Sequence, residues 1–345
     1  LKAVRIHEHG GVETLRYEDA PEPKLATVTD AIVKLRAASL NHIDIWNRRG
    51  LTGVKIAFPH ILGGDGAGTV AELGAQVNNI KVGDAVCLYP PRGCGRCEFC
   101  AIDRELMCLH LRVLGERDDG TYAEYVRVPA RNCFPVPAGM SFEEAAAFPL
   151  VYVTVWRMLQ TNARLKPGEH LLILGIGGGV ATAALQLAAS VGAHILVTSS
   201  SDEKLDKARS LGAEHGINYR KADFVQEVRR ITAKRGVDVV LDCVGGDSWA
   251  KSLASLAKGG RLVTCGATTG AHPATDIQRI FWNHLKIFGS TLGDRAEFRD
   301  VLNFMTASRT KPVIDRVFPL RDAASAQRRM DEGKQFGKLV LRMDS

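Results

Sequence analysis

Four cysteines fall within fifteen residues, Cys94, Cys97, Cys100 and Cys108 in the run GCGRCEFCAIDRELMC. Thiolates at C-x2-C-x2-C-x7-C spacing can close a tetrahedral zinc site. A shell of four thiolates leaves no coordination position for water or substrate, so a metal held this way orders a loop-rich lobe and performs no chemistry. The competing reading is four reduced, metal-free cysteines. The glycine and small residues between the ligands favour the metal, because they suit a chain wrapped tightly around an ion. Catalysis has to be sought elsewhere in the chain.

The chain has 345 residues, 46% of them hydrophobic and 24% charged, enough apolar content for packed cores and a length that suggests two domains. The longest apolar run, AAAFPLVYVTVW from Ala145 to Trp156, is interrupted by Pro149. It falls well short of the ~20 residues a membrane span needs, so no span is expected. The opening LKAVRIHEHGG lacks an apolar signal stretch, and Cys87, Cys133, Cys243 and Cys265 are isolated in sequence, which together point to a reducing cytoplasm. The net charge is +7, but Lys and Arg alternate with Asp and Glu in SSSDEKLDKARS and KADFVQEVRRITAKRG. That interleaving reads as solvated helix faces, not a nucleic-acid surface, and the modest excess suits a small phosphate-bearing ligand.

To about residue 130 the chain reads as short strands broken by Gly and Pro: KAVRI, DAIVKLRAAS, GAGTVAELG, GDAVCLYP and YAEYVRVPA. From about Val151 strands alternate with amphipathic helices, the pattern of a doubly wound parallel sheet. Its strands are HLLILG, HILVTS, GVDVVLDCV, GRLVTCG and LKIFGST, with VATAALQLAASVG and DEKLDKARSLGA as helices between them. The closing strand GKLVLRM returns to the first domain. The expected division is 1–151 with a zinc lobe at 93–109, then 152–291, then a return over 292–345.

The strand HLLILG runs into Gly175, Ile176, Gly177, Gly178, Gly179, Val180 and Ala181 and then a helix, where backbone amides and a helix N-terminus can receive a pyrophosphate. A strict G-x-G-x-x-G would need glycine at Val180, so close helix packing falls to Ala181. The second strand of such a sheet ends on an acidic residue in NAD sites, which accepts the ribose hydroxyls. Here it ends on Thr198, Ser199, Ser200 and Ser201, with Lys204 nearby. Hydroxyls and an ammonium can bind a 2′-phosphate, so NADPH is expected.

The segments SLNHIDIWNRRG, ILGGDGAGTV, the cysteine lobe, GTYAEYV, EEAAAFPLVYVTVW, LGIGGGVATAALQLA and DVVLDCVGG together resemble a medium-chain dehydrogenase/reductase of the zinc-type alcohol dehydrogenase and quinone oxidoreductase superfamily, over nearly the whole chain. The resemblance implies an α/β fold: a Rossmann doubly wound sheet inserted into a GroES-like β domain, a cleft between the two, and dimers or tetramers. It also implies that Thr154 lies by the nicotinamide and Tyr219 by the adenine ribose. Zinc alcohol dehydrogenases in this superfamily carry a second, catalytic zinc on a Cys in C-H-x-D, a His in G-H-E and a further Cys or acid. The matching stretches here read Asn41-His42-Ile43-Asp44 and Gly63-Gly64-Asp65, with Leu150 as the third position. An improvised site from His42, His60 and Asp65 is the remaining route to a metal.

The expectation is therefore an NADPH-dependent reductase of quinones or activated double bonds, without catalytic zinc. Asn41 on the loop at the cleft would donate to the developing oxyanion, with His42 a possible donor and Asp44 its orienter. Trp46, Phe58 and Trp282 read as cleft wall or core. Alternatives are a zinc-dependent alcohol dehydrogenase and a catalytically silent cofactor-binding protein. The expected partners are a small-molecule substrate and a second copy of the chain, paired edge to edge through LKIFGST, since an apolar final strand leaves a pairing edge open.

Overall fold

The computed structural model describes residues 1–343. The chain forms two compact units, one of Leu1–Leu150 with the segment from Asp294 onward, the other Val151–Gly293. No helix among the described residues is long and apolar enough to cross a membrane.

The first unit is organised around the strand Asp30–Ser39, whose side chains are buried at eight of ten positions because it is covered on both faces. Asp65–Leu73 pairs with it antiparallel on one side, placing Asp65 opposite Ser39. Lys338–Arg342 pairs with it on the other, placing Val340 opposite the same serine. The strand ends of three distant segments thus meet at Ser39. Further strands at Ala85–Leu88, Cys133–Pro135, Tyr125–Pro129 and Ile314–Pro319 complete the sheet.

The stretch after Ser39 is a helix, His42–Arg49, and not the loop expected around Asn41. Its signals are present locally. Asn41 is the extended N-cap, Asp44 at the third helical position accepts from the Asn41 N–H at 2.8 Å, Arg48 and Arg49 close the last turn, and Gly50 at φ +94° ends it.

The second unit holds a six-stranded parallel sheet: β1 (His170–Ile173), β2 (His194–Ser199), β3 (His215–Asn218), β4 (Val237–Asp242), β5 (Leu256–Thr264) and β6 (Lys286–Gly289). Their order, β3-β2-β1-β4-β5-β6, is that of a Rossmann fold and reverses between β1 and β4. Leu172, Leu196, Val240 and Leu262 fill its fully buried centre. The strand β3 lies in HGIN, too short and polar to stand out in sequence. Trp282 sits on the short helix Ile277–Trp282 and is 69% exposed, so it is not a core residue.

Candidate active site and cofactor turn

Where the three strand ends meet, a buried charge cluster forms. Lys338 Nζ donates to Asn41 Oδ1 at 2.6 Å, to the Leu40 carbonyl at 2.8 Å and to Asp65 Oδ2 at 3.3 Å, which uses all three ammonium hydrogens. Asn41 Nδ2 donates to Asp65 Oδ2 at 2.8 Å, and Ser39 Oγ to the same oxygen at 3.3 Å. The other carboxylate oxygen accepts from Leu150 N at 2.9 Å. Lys338 and Asp65 are both buried, so this is an ion pair that water does not screen. Burial pulls the Lys338 pKa below its ordinary value, against the opposing pull of Asp65.

Asp44 lies one helical turn away and accepts from Tyr122 Oη at 3.0 Å as well as from Asn41 N. Burial pushes its carboxyl up from 3.8 to about 7 despite these two donors. His42, the first helical residue, is shifted the other way: burial, then the Lys338 charge, lower its pKa and keep the ring neutral. Its neighbour Trp46 has its ring centroid 6.3 Å away.

A raised folded-state pKa on Asp44 has a definite sign. The folded chain holds a proton that the unfolded chain releases, so the stabilisation is complete below pH about 4 and is lost as pH rises through about 7. Asp44→Asn keeps an acceptor for both donors and cannot ionise. Its stability in urea melts should therefore gain on the parent by up to about 4 kcal/mol between pH 4 and pH 8. A difference that stays flat across that range would show that Asp44 is ionised throughout.

The cysteine lobe lies apart from this cluster in sequence and chemistry. The four sulfurs lie within 4.8 Å of one another, and Cys94 Sγ is 4.0 Å from Cys100 Sγ. A tetrahedral ZnS4 centre sets its sulfurs about 3.8 Å apart, so the donor set fits zinc. Gly93 allows the closure: a Cβ there would come 2.6 Å from Cys100 Sγ. The amide of Arg96 draws the Cys94 thiol down to about 6, while burial pushes Cys100 up to about 12. The lobe is tied to a remote helix, Arg295–Ser308, through Leu106 N on Asp294 Oδ1 at 3.1 Å and Arg295 on Glu105 at 3.2 Å.

In the second unit Gly175 and Gly177 take φ +66° and +131°, conformations that L side chains rarely adopt. Gly175 N donates to Thr198 Oγ1 at 3.1 Å and Ile176 N to the Thr198 carbonyl at 2.8 Å, so the turn hangs from the end of β2. Gly178 is the N-cap of the helix Gly179–Val191, with open space where its Cβ would be; Val180 follows, and Ala181 is buried against the sheet. Ser199 ends β2, buried, and its carbonyl accepts from Tyr219 N at 3.1 Å. Ser200 follows, Ser201 caps the next helix on Lys204 N, and Tyr219 is exposed. Of the two acids that follow, Asp202 is bound by Lys221 at 2.6 Å and Asn218 at 2.8 Å, and Glu203 by Lys207 at 2.7 Å. Thr154 is buried on the helix Pro149–Trp156.

The family profile described as "Alcohol dehydrogenase GroES-like domain" matches residues 28–138, and "Zinc-binding dehydrogenase" matches residues 179–307. A zinc-type alcohol dehydrogenase-like protein of Schizosaccharomyces pombe is 34% identical over 100% of this chain and 99% of its own length. The chain belongs to the medium-chain zinc-type alcohol dehydrogenase family. An NAD-dependent alcohol dehydrogenase of Sulfurisphaera tokodaii is 33% identical over 99% of each chain. A crystal structure of an NAD-dependent alcohol dehydrogenase superposes with a TM-score of 0.96 at 38% identity, covering 100% of both chains.

These full-length relatives overturn the expected reductase of quinones or activated double bonds: they are alcohol dehydrogenases, and those whose names specify a cofactor are NAD-dependent. The side chains at the family's catalytic zinc positions do something else in this structure. Gly64 has no side chain, Leu150 has an aliphatic side chain with no ligand atom and gives its N–H to Asp65, and the Asn41 carbonyl oxygen is occupied by Lys338. His60 Nε2 is 3.1 Å from the Gly115 carbonyl, and His60 does not come close enough to His42 and Asp65 to form a group that could hold a metal. A buried ammonium beside the one carboxylate opposes a second cation. This donor set does not fit zinc. Among the described residues only the four cysteines form a group of three or more His, Cys, Asp or Glu side chains close enough to hold a metal.

Proposed function

We propose that the chain is a nicotinamide-dependent oxidoreductase that interconverts an alcohol and its carbonyl compound. The observation that carries this reading is end-to-end similarity to alcohol dehydrogenases in a chain that keeps the glycine turn at the reversal point of its parallel sheet. A nicotinamide dinucleotide, when bound, would serve as carrier of the hydride exchanged with the carbinol carbon. The protein's part is to orient substrate and to manage the proton and charge on its oxygen. We assign that part to Asn41 and His42: the amide has one hydrogen beyond the bond to Asp65, and the ring is neutral and so able to accept a proton. Asp44 is a positioning residue that holds the Asn41 backbone.

Gly175, Gly177, Gly178, Gly179 and Val180 would cradle the pyrophosphate, with Thr154 toward the nicotinamide and Ser199, Ser200, Lys204 and Tyr219 toward the adenosine. Within this reading the phosphorylated dinucleotide is the better fit. Hydroxyls end β2 where an NAD site has a carboxylate, and Asp202 is already neutralised by Lys221. The NAD dependence of the named relatives is the rival, and measurement separates the two. A reducing compartment such as the cytoplasm suits thiolates that must stay reduced to hold metal.

The test is steady-state turnover on a panel of primary and secondary alcohols with each oxidised dinucleotide, and of aldehydes and ketones with each reduced one. Dissociation constants for NADPH and NADH are measured alongside. Turnover of at least one alcohol–carbonyl pair is expected, with NADPH bound about tenfold or more tighter than NADH. Inactivity on every pair would sink the assignment. Equal dissociation constants would remove the cofactor preference alone.

A further inference from the structure

Cys243 and Cys265 read as isolated residues in sequence, but the sheet brings them together. β4 and β5 run parallel with Asp242 opposite Thr264 as their last registered pair, so the two cysteines follow as the next residues on neighbouring strands. The neighbouring Cys243, and then burial, hold the Cys265 thiol well above the ordinary thiol range. Neighbouring strands lie about 4.8 Å apart, within the Cα separation of about 4.4–6.8 Å that a disulfide spans. Both residues are partly exposed, whereas Cys87 and Cys133 are buried.

The pair also sits beside the cofactor turn. Asp242 Oδ1 accepts from Val244 N at 2.8 Å and Gly245 N at 2.9 Å, which fixes the chain leaving β4. That chain is joined to the one leaving β5 by Thr269 N on the Val244 carbonyl and Gly246 N on the Gly270 carbonyl, each at 2.9 Å. Val244 Cγ2 lies 3.5 Å from where a Cβ on Gly175 would be. A shift in these two strand exits is therefore felt at the first glycine of the turn, at the strand ends where a doubly wound sheet seats its ligand.

We propose that Cys243 and Cys265 form a reversible thiol-oxidation site whose disulfide weakens dinucleotide binding. The oxidant is a low-molecular-weight disulfide. Cys243, deprotonated, attacks one of its sulfurs, breaks that S–S bond and releases one small thiolate. Cys265 then gives up its proton and attacks the Cys243 sulfur, expelling the second small thiolate. The two protein thiols lose two electrons, the external disulfide gains them, and the two protons end on the released thiols. Closing to an S–S bond of about 2.0 Å draws the strand exits together beneath Val244.

The inference rests on the dinucleotide reading above, and one experiment separates their failures. Full-length protein, reduced or treated with oxidised glutathione, is titrated with NADH and NADPH and assayed for zinc. It is also digested with trypsin, which places the two cysteines on separate peptides, 236–251 and 262–279. Oxidation is expected to link those peptides and raise the dissociation constant about tenfold with zinc retained. Dithiothreitol should restore binding, and neither Cys243→Ser nor Cys265→Ser should respond. Absence of the linked peptide, or a linked protein that binds as tightly as the reduced one, overturns the proposal. Reduced protein that binds neither dinucleotide takes down the cofactor reading and this inference with it.

Discussion

Cys97→Ser is expected to reduce zinc from one equivalent per chain to near none and to unfold the lobe before the rest of the chain. Apparent free energies for structural zinc in small thiolate sites are about 10–16 kcal/mol, so a lobe built of turns and two short helical segments has little else to hold it. The damage should not stop at Cys108. Leu106 N and Glu105 hold Asp294 and Arg295 at the start of the helix Arg295–Ser308, and Arg295 lies over the Tyr89 ring at 5.7 Å. Amide hydrogen exchange should therefore quicken both in 94–108 and in the first turn of that helix, while the Rossmann sheet keeps its protection. Zinc retained by Cys97→Ser, or unchanged exchange in a zinc-free protein, would remove the metal from its structural role.

The lobe was legible because its ligands are neighbours in sequence: spacing alone states the geometry. The glycine turn was legible for a similar reason, since a strand, a left-handed turn and a helix start all lie within Leu171 to Val191. The helix after Ser39 carries its end signals in Asn41, Asp44, Arg48, Arg49 and Gly50, but its eight residues are too few for a clear helical period. Lys338 carried no such signal. Its partners are 273 and 297 residues away, and a lysine opening an apolar strand reads as an exposed end. The Tyr122–Asp44 bond joins residues 78 apart in sequence and the Cys243–Cys265 pair depends on strand register, so neither was visible. Function was hard to read for a different reason: the changed side chains at Asn41, Gly64 and Leu150 show only that the usual ligands are gone and do not identify the reaction.

Lys338→Met is expected to be the most destabilising single change in the charge cluster. It leaves the Asp65 carboxylate fully buried with no counter-charge, a situation that typically costs about 3–5 kcal/mol. It also frees Asn41 Oδ1 and the Leu40 carbonyl, both inside the protein. Asp65→Asn should cost less, because burial already lowers the Lys338 pKa and the ammonium can shed its proton when its carboxylate is gone. The double variant should be more stable than Lys338→Met alone, since neither residue is then an unpaired ion. A coupling energy near zero in that cycle, from urea melts of the folded unit, would show that the two charges do not hold each other. A clear coupling would mean that this chain keeps Asn41 in place with an ion pair between residues 273 positions apart in its sequence.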